Sequence, residues 1–544
     1  MMHGHEKSDS AIVAVKPTNK AEHSAAEQSA AEQTAAEPAE RRTETKRNVG
    51  QQSTCGTQGR ISVSQALERI RRVAKERKKE KFTSLLHHVS TDLLGGAFFQ
   101  LKEDAAPGID GLTWTEYEQN LERNLEDLHA RVHRGAYRAL PSRRTYIPKP
   151  DGRQRPLAIA ALEDKIVQRA VAAVLNAIYE ADFLGFSYGF RPGRSTHDAL
   201  NALCVGIERK KVNWILDADI RSFFDEISQE WLIRFLEHRV GDRRIVHLIR
   251  KWLKAGILED GIVSVSDRGT GQGSVISPFL ANVYLHYVLD LWSERWRRRE
   301  ATGDVIIVRY ADDFIVGFQY ERDARRFLDE MRARLQGFAL SLHPEKTRLI
   351  EFGRFAAKDR RARGLGKPET FNFLGFTFIC GKTRSGKFLL TRKTRRDRMR
   401  AKLRMVKVEM WRRMHQSIPD QGKWLGHVVR GYYNYYAVPM NFRSLAVFRT
   451  EIAKRWRRVL SRRSEWADLN WARMNQLIDE WLPRPRILHP WPSLRFSRYK
   501  LKVGAVCGKA ARTDLCGGPP AMEVPTATGA RSSRCSAARR WRGR

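Results

Sequence analysis

Nothing in this chain constrains its fold more than four residues, Tyr310-Ala311-Asp312-Asp313, set between two short apolar runs. Val305-Ile306-Ile307-Val308-Arg309-Tyr310 precedes the pair of acids, and Phe314-Ile315-Val316-Gly317-Phe318 follows it. β-Branched and aromatic residues favour strands and Ala-Asp makes a tight connection, so the segment reads as a β-hairpin with adjacent carboxylates at its tip. Acidic residues at a turn commonly satisfy nothing more than local backbone. A third carboxylate argues for more. Asp219 closes the apolar run Trp214-Ile215-Leu216-Asp217-Ala218-Asp219-Ile220, ahead of Arg221-Ser222-Phe223-Phe224-Asp225. A strand delivering Asp219 beside a hairpin delivering Asp312 concentrates negative charge, which is costly unless a cation neutralises it. Hard oxygen ligands suit Mg²⁺, which keeps waters and takes further ligands from substrate phosphates. Two such ions about 3.5–4 Å apart stabilise the attacking and leaving oxygens of an in-line phosphoryl displacement. The chemistry predicted is nucleotidyl transfer.

The elements between these acids can be read without further help. Glu230-Trp231-Leu232-Ile233-Arg234-Phe235-Leu236 reads as helical, with Asp225 as its candidate cap. A second helix is expected from Ser277-Pro278, where Ser can cap and Pro suits the first turn. After the hairpin, Ala324, Phe327, Leu328, Met331 and Leu335 recur at helical spacing, with Gly337 to end the helix. Thr347 to Phe352 closes as a strand. The order β-α-β-β-α-β is the split ferredoxin-like arrangement, which sets the Asp219 strand against the Asp312 hairpin. Residues 354–370 read as a charged loop before a Phe371–Phe378 hairpin strand, and helices are expected to dominate from about 385.

Tyr310-Ala311-Asp312-Asp313 and the segment Asp219 to Asp225 resemble the palm motifs of reverse transcriptases, specifically the proteins encoded by bacterial group II introns. Other matches follow in that family's order. Ile147-Pro148-Lys149-Pro150-Asp151-Gly152-Arg153-Gln154-Arg155-Pro156-Leu157 resembles its fingers motif, after a loop Pro107 to Gly111 similar to its N-terminal extension. Tyr188-Gly189-Phe190-Arg191-Pro192-Gly193-Arg194-Ser195 resembles the next block, and Gly271-Gln272-Gly273-Ser274 with Ser277-Pro278 the template-and-nucleotide motif. Leu342-His343-Pro344-Glu345-Lys346-Thr347 and Phe371-Asn372-Phe373-Leu374-Gly375-Phe376 complete the set. Trp424 to Tyr436 and the basic stretch Glu451 to Leu460 resemble the maturase, or thumb, domain. The resemblance covers about residues 60 to 500. It implies an α+β right-hand polymerase: fingers and ferredoxin-like palm over 61–380, and a basic helical thumb/maturase domain over 381–500.

The resemblance also implies roles. Asp219 and Asp312 are the expected metal ligands together with the Ile220 carbonyl, and Asp313 is a nearby carboxylate completing the catalytic set. Two Mg²⁺ ions are expected, with Mn²⁺ as a substitute. Phe224 is the bulky side chain that would exclude a ribose 2′-OH, or else a core aromatic. Lys149 and Arg155 would reach the triphosphate of an incoming deoxynucleotide, or else are surface cations. Gln272 and Gly273 would lie beneath the nascent base pair, Gly allowing close backbone approach. Lys346 would protonate the leaving pyrophosphate or stand in solvent. Phe373, Leu374 and Gly375 would grip the primer end or form a buried hairpin. Tyr432, Tyr433 and Arg455 are candidate RNA contacts, although at helical spacing some of the tyrosines must face the core. The implied function is RNA-directed DNA synthesis by a protein that also binds its group II intron RNA, assists splicing and supports retrohoming by target-primed reverse transcription. Its other partners would be an RNA template and a DNA primer or target. Two alternatives stand beside it: an RNA-binding maturase with a vestigial polymerase, and a retron or defence reverse transcriptase, which would lack the maturase-like region. A homodimer is compatible with each.

Charge agrees with a polyanionic partner. The 544 residues carry a formal net charge of +38, and residues 381–544 hold 39 Lys and Arg against 10 Asp and Glu. Neutralising phosphates releases counterions, so nucleic acid is the natural ligand of such a surface. Residues 1–60 include Ala-Glu repeats that cannot bury a core and are expected to be disordered. Cys55, Cys204, Cys380, Cys507, Cys516 and Cys535 lack paired spacing and read as free thiols in a reducing compartment. No stretch approaches the about 20 apolar residues of a membrane span and no secretory core opens the chain, so a cytoplasmic location and no membrane partner are expected. Residues 501–544 read as a basic, low-order tail without the pattern of an HNH endonuclease, so no second-strand nicking is expected.

Overall fold

The acidic hairpin forms as read, and its register decides what stands beside it. The computed structural model describes residues 55–148, 154–463 and 469–494. The expectations for the repeats, the tail and Lys149 lie outside the described residues. Eleven strands are described: β1 (Ser142–Pro148), β2 (Gln154–Ile159), β3 (Trp214–Ala218), β4 (Ile257–Glu259), β5 (Ile262–Ser264), β6 (Val305–Tyr310), β7 (Asp313–Phe318), β8 (Arg348–Glu351), β9 (Phe371–Phe373), β10 (Phe376–Lys382) and β11 (Phe388–Thr394). They make three sheets, with orders β2-β1-β4-β5, β6-β7-β3-β8 and β11-β10-β9. With the helices segregated onto sheet faces and into a bundle of their own, the class is α+β.

In the second sheet every neighbouring pair is antiparallel, and the order is that of a ferredoxin-like β-α-β-β-α-β unit. Residue period two sorts its side chains onto two faces. Leu216, Ala218, Val305, Ile307, Phe314 and Val316 pack with Phe279, Leu280 and Val283 of the helix Ser277–Leu285 and with Phe327 and Met331 of Glu321–Gln336. Ile215, Ile306, Val308, Ile315 and Ile350 pack the other way, with Leu200 and Leu203 of Thr196–Arg209 and with Phe371, Phe376 and Phe378 of the third sheet. A separate core joins the helices Arg396–Arg412, Ile418–Tyr436, Phe442–Leu460 and Trp471–Trp481 around the fully buried Trp456. Among the described residues no helix is long and apolar enough to cross a membrane.

Several local expectations are corrected. The first helix runs Cys55–Glu76, so residues 55–60 are helical rather than disordered. The 354–370 segment holds the helix Ala356–Ala362. β11 completes a sheet where helices were expected, so the expected domain boundary at 380 falls inside β10. Asp225 sits within the short helix Phe223–Glu226, and the next helix is capped by Ser228, whose side chain accepts from the Trp231 amide. Ser277 is the first helical residue, not the cap, and its hydroxyl donates to the Gly271 carbonyl at 3.1 Å. Gly337 ends its helix with a right-handed φ of −61°; the left-handed residue is Ala339.

Candidate active site

β3 stops at Ala218, paired with Phe314, so the next residue, Asp219, emerges beside Asp313 at the end of the sheet where Tyr310 pairs with Asp313. The chain beyond β3 is clamped by the segment before β8. The His343 amide donates to the Asp219 carbonyl at 2.8 Å, and the Arg221 amide to the Ser341 carbonyl at 2.9 Å. This pairing uses the residues on either side of Ile220 and leaves the Ile220 carbonyl outside it. The hairpin turns on Ala311 and Asp312, with a positive φ of 56° at Ala311. A neighbouring loop seats that turn: the Tyr188 amide donates to Arg309 and the Arg309 amide to Phe186, each at 2.9 Å. A Cβ on Gly189 would stand 2.3 Å from the Ala311 nitrogen, so glycine is the residue that lets this loop lie on the turn.

Electrostatics tie Asp312 and Asp219 to each other and to two cations. Burial raises the Asp312 carboxyl above its ordinary value and the charge of Asp219 adds to that, while its own amide, Arg155 and Lys346 work against it. Lys346 Nζ lies 2.5 Å from Asp219 Oδ2 although its side chain is 54% exposed. Asp217, two residues before Asp219, is pushed up to about 6 by burial and faces Arg348 at 3.9 Å. Asp313 is exposed. Among the described residues no three His, Cys, Asp or Glu side chains stand together as a ready metal cage. The donor set nevertheless fits a hard cation: two carboxylates that feel each other's charge and a backbone carbonyl outside the local pairing, with one carboxylate already holding the positive charge of Lys346. Mg²⁺ binds in this way, through one or two carboxylates with water and phosphate as the rest.

The other candidates divide. Arg155, on β2 opposite Ile147, is near enough for its charge to act on Asp312. Phe224 is half-buried, edge-on to Phe223 with centroids 5.5 Å apart, and its carbonyl accepts from Thr270. The Gln272 carbonyl accepts from the Ala158 amide at 2.6 Å, and a Cβ on Gly273 (φ 115°) would meet the Ala158 carbonyl oxygen at 2.7 Å. The close approach at Gly273 is therefore to β2 of the protein itself. Phe373 is buried, while Leu374 and Gly375 form a two-residue turn with φ 45° and 77°. Tyr435 donates to the Leu374 carbonyl at 2.9 Å, and Tyr436 lies against Gly375.

Tyr432 and Tyr433 are corrected as stacking candidates for RNA bases. They are 6% and 3% exposed, and Tyr432 stacks on Phe448 with centroids 3.6 Å apart. Their faces are spent on the helical core. Arg455 is paired with Glu451 at 2.5 Å on its own helix. The segment Ser341–His343 holds Asp219 from behind; the sequence marked Leu342 and His343 only as part of the motif ending at Thr347, with no bracing role, and did not mark Ser341.

With this geometry in place, comparison with known proteins identifies the class. The family described as Reverse transcriptase (RNA-dependent DNA polymerase) matches residues 147–378. Protein YkfC of Escherichia coli (strain K12) is 34% identical over 275 residues, covering 45% of this chain and 72% of that protein. The group II intron-encoded protein LtrA of Lactococcus lactis subsp. cremoris is 35% identical over 222 residues, 40% of this chain but only 37% of LtrA. Nuclear intron maturase 3, mitochondrial, of Arabidopsis thaliana is 27% identical over 180 residues, 29% of this chain and 25% of that protein. The chain belongs to the reverse transcriptases, within them to the group II intron-encoded reverse transcriptase/maturase family.

Proposed function

We propose that this protein is the RNA-directed DNA polymerase of a group II intron, that it binds the intron RNA and assists its splicing, and that it supports retrohoming by target-primed reverse transcription. The β2-β1-β4-β5 sheet and its helices serve as fingers, the four-stranded sheet bearing the acids as palm, and the helices from Arg396 to Trp481 as thumb and maturase region. Asp219, Asp312 and the Ile220 carbonyl would hold two Mg²⁺ ions, or Mn²⁺ in their place, with Asp313 adding charge alongside. Those ions would lower the charge barrier to attack of a primer 3′-oxygen on a deoxynucleoside triphosphate. Arg155 would bind the triphosphate from β2, with Lys149 reaching the same group. Lys346, within reach of the same carboxylates, would meet the leaving pyrophosphate and supply its proton. Phe224 would screen the sugar, Gln272 would carry the templating pair on a loop braced by β2, and the Leu374-Gly375 turn would steady the primer. A basic surface releasing counterions would hold the intron RNA, the template and the DNA target.

The observation that carries this reading is the convergence of Asp219 and Asp312 at one end of one sheet, with Lys346 and Arg155 acting on them. The deciding experiment is dTTP incorporation on poly(rA)/oligo(dT) with Mg²⁺. Wild-type protein should extend the primer, and Asp219→Asn should not. A wild-type protein that binds intron RNA but incorporates nothing would leave the maturase with a vestigial polymerase as the better account.

A further inference from the structure

One buried ion pair lies directly beneath the acidic turn, and none of the roles above uses it. Arg309, the last residue but one of β6, is fully buried, as is its partner Asp290. Its five N–H donors are all engaged. Nε and Nη2 bond the two oxygens of Asp290 at 2.7 and 2.6 Å, a bidentate charge-assisted pair. Nη2 also reaches Ser187 Oγ at 2.7 Å, and Nη1 bonds Asn282 Oδ1 at 3.0 Å. The remaining Nη1 donor meets the carbonyl of Ala311, the residue before Asp312, at 2.9 Å. Asn282 in turn donates to the Gly189 carbonyl at 2.7 Å, fixing the loop that lies on the turn.

A second observation points the same way. The long helix from Ser277 to Arg299 is interrupted by one π-helical turn, His286–Asp290, and Asp290 closes it. Such a turn rotates the residues after it relative to those before, and π-turns recur at functional sites. Here Asn282 precedes the turn and Asp290 ends it, and both point to one guanidinium.

We propose that Asp290 and Arg309, with Asn282, are positioning residues that fix the Ala311 carbonyl and so aim the Asp312 carboxylate for its cation before substrate arrives. The proposal rests on the reading of Asp312 as a metal ligand. Partners that orient a ligand's support commonly cost tenfold or more in metal affinity when lost. Breaking only one side would strand a buried charge, so the informative variant is Arg309→Met with Asp290→Leu, which removes both charges and keeps volume.

Full-length wild-type and variant proteins are titrated with Mn²⁺, following loss of the free-ion EPR signal. The Mg²⁺ concentration for half-maximal dTTP incorporation and the Kd for poly(rA)/oligo(dT) are measured in parallel. The double variant should melt cooperatively, bind primer–template within about twofold of wild type, and need about tenfold more Mn²⁺ and Mg²⁺. Unchanged metal requirements in the folded double variant would overturn the proposal. If it does not melt cooperatively, Asn282→Leu decides: a raised metal requirement with unchanged primer–template Kd supports positioning, and no change overturns it. Wild-type protein whose Mn²⁺ binding is indifferent to Asp312→Asn would instead remove the metal-ligand reading itself.

Discussion

Two of the described hairpins that turn on two residues invite comparison: Ala311-Asp312 between β6 and β7, and Leu374-Gly375 between β9 and β10. Both use left-handed backbone, yet they are held by different physics. The first is held from inside its own sheet, by the guanidinium of Arg309 and by the Gly189 loop. The second is held from outside, by Tyr435 and Tyr436 of the helix Ile418–Tyr436. A turn fixed by a dry ionic network keeps its shape whatever the helical region does. A turn fixed by two aromatic side chains keeps its shape only while that helix stays docked. The first carries the carboxylates, where small displacements cost most. The second sits where the two regions meet.

The largest test of this contrast falls on the first turn. Asp312→Asn should lower polymerase turnover by about 10³-fold, the equivalent of several kcal/mol of charge stabilisation, measured as dTTP incorporation. Its melting temperature should not fall. A carboxyl whose folded value is raised costs stability once ionised, so removing that charge relieves the fold at neutral pH.

Next comes the π-turn under the same hairpin. Burial, with Arg309 and Arg191 nearby, pulls His286 down to about 4, against the opposing charge of Asp290. Its Nδ1 lacks a hydrogen-bond partner. The unfolded chain takes up this proton below about pH 6.5 and the folded one only near 4, so wild type loses stability as pH falls through that window. Relative to His286→Leu, wild type should lose about 2 kcal/mol between pH 7.5 and pH 5, read from urea melts at each pH. Parallel pH profiles would show that the imidazole is not kept neutral by the fold.

The second turn should answer to sterics. Gly375→Ala places a Cβ at positive φ, 3.1 Å from the Tyr436 hydroxyl, and should cost about 1–2 kcal/mol in the same melts. At Ala311 the opposite change tests the first turn most gently. Ala311→Gly relieves a left-handed alanine by about 1 kcal/mol and adds a similar entropic cost to folding, so stability should barely move. If the brace beneath it is sufficient, turnover should fall less than the melting data could resolve. A large loss would mean that Ala311 itself stiffens the turn.

Much of this was readable in advance because it is local. Period-two apolar runs flanking Ala311-Asp312 specify a hairpin, and the helical spacing of Ala324, Phe327, Met331 and Leu335 specifies the helix behind it. Once strand order follows, Asp219 has nowhere to go but beside Asp313. What was missed is what pairs over distance. Arg309 in an otherwise apolar strand was the one visible sign of the Asp290 network, and an irregular helical turn cannot be seen in side-chain periodicity. β11 was missed because Arg392 and Lys393 broke its apolar pattern, although Arg392 is buried and reaches Asn201. The sequence marked Gly273 for a close backbone approach but could not show that its missing side chain makes room for Ala158 of β2. Tyr432 and Tyr433 show that an aromatic cluster on a basic helix can serve the core first.

The contact between Lys346 and Asp219 has a consequence for how such a chain comes into being. A carboxylate pair that depends on dissolved ions for its neutrality would be a hazard to every newly made copy of the protein. Here a tethered ammonium arrives with the polypeptide and offsets the charge of Asp219. On the proposed reading, the later arrival of a divalent ion would be a swap of one cation for another, and it would free Lys346 for the phosphate chain.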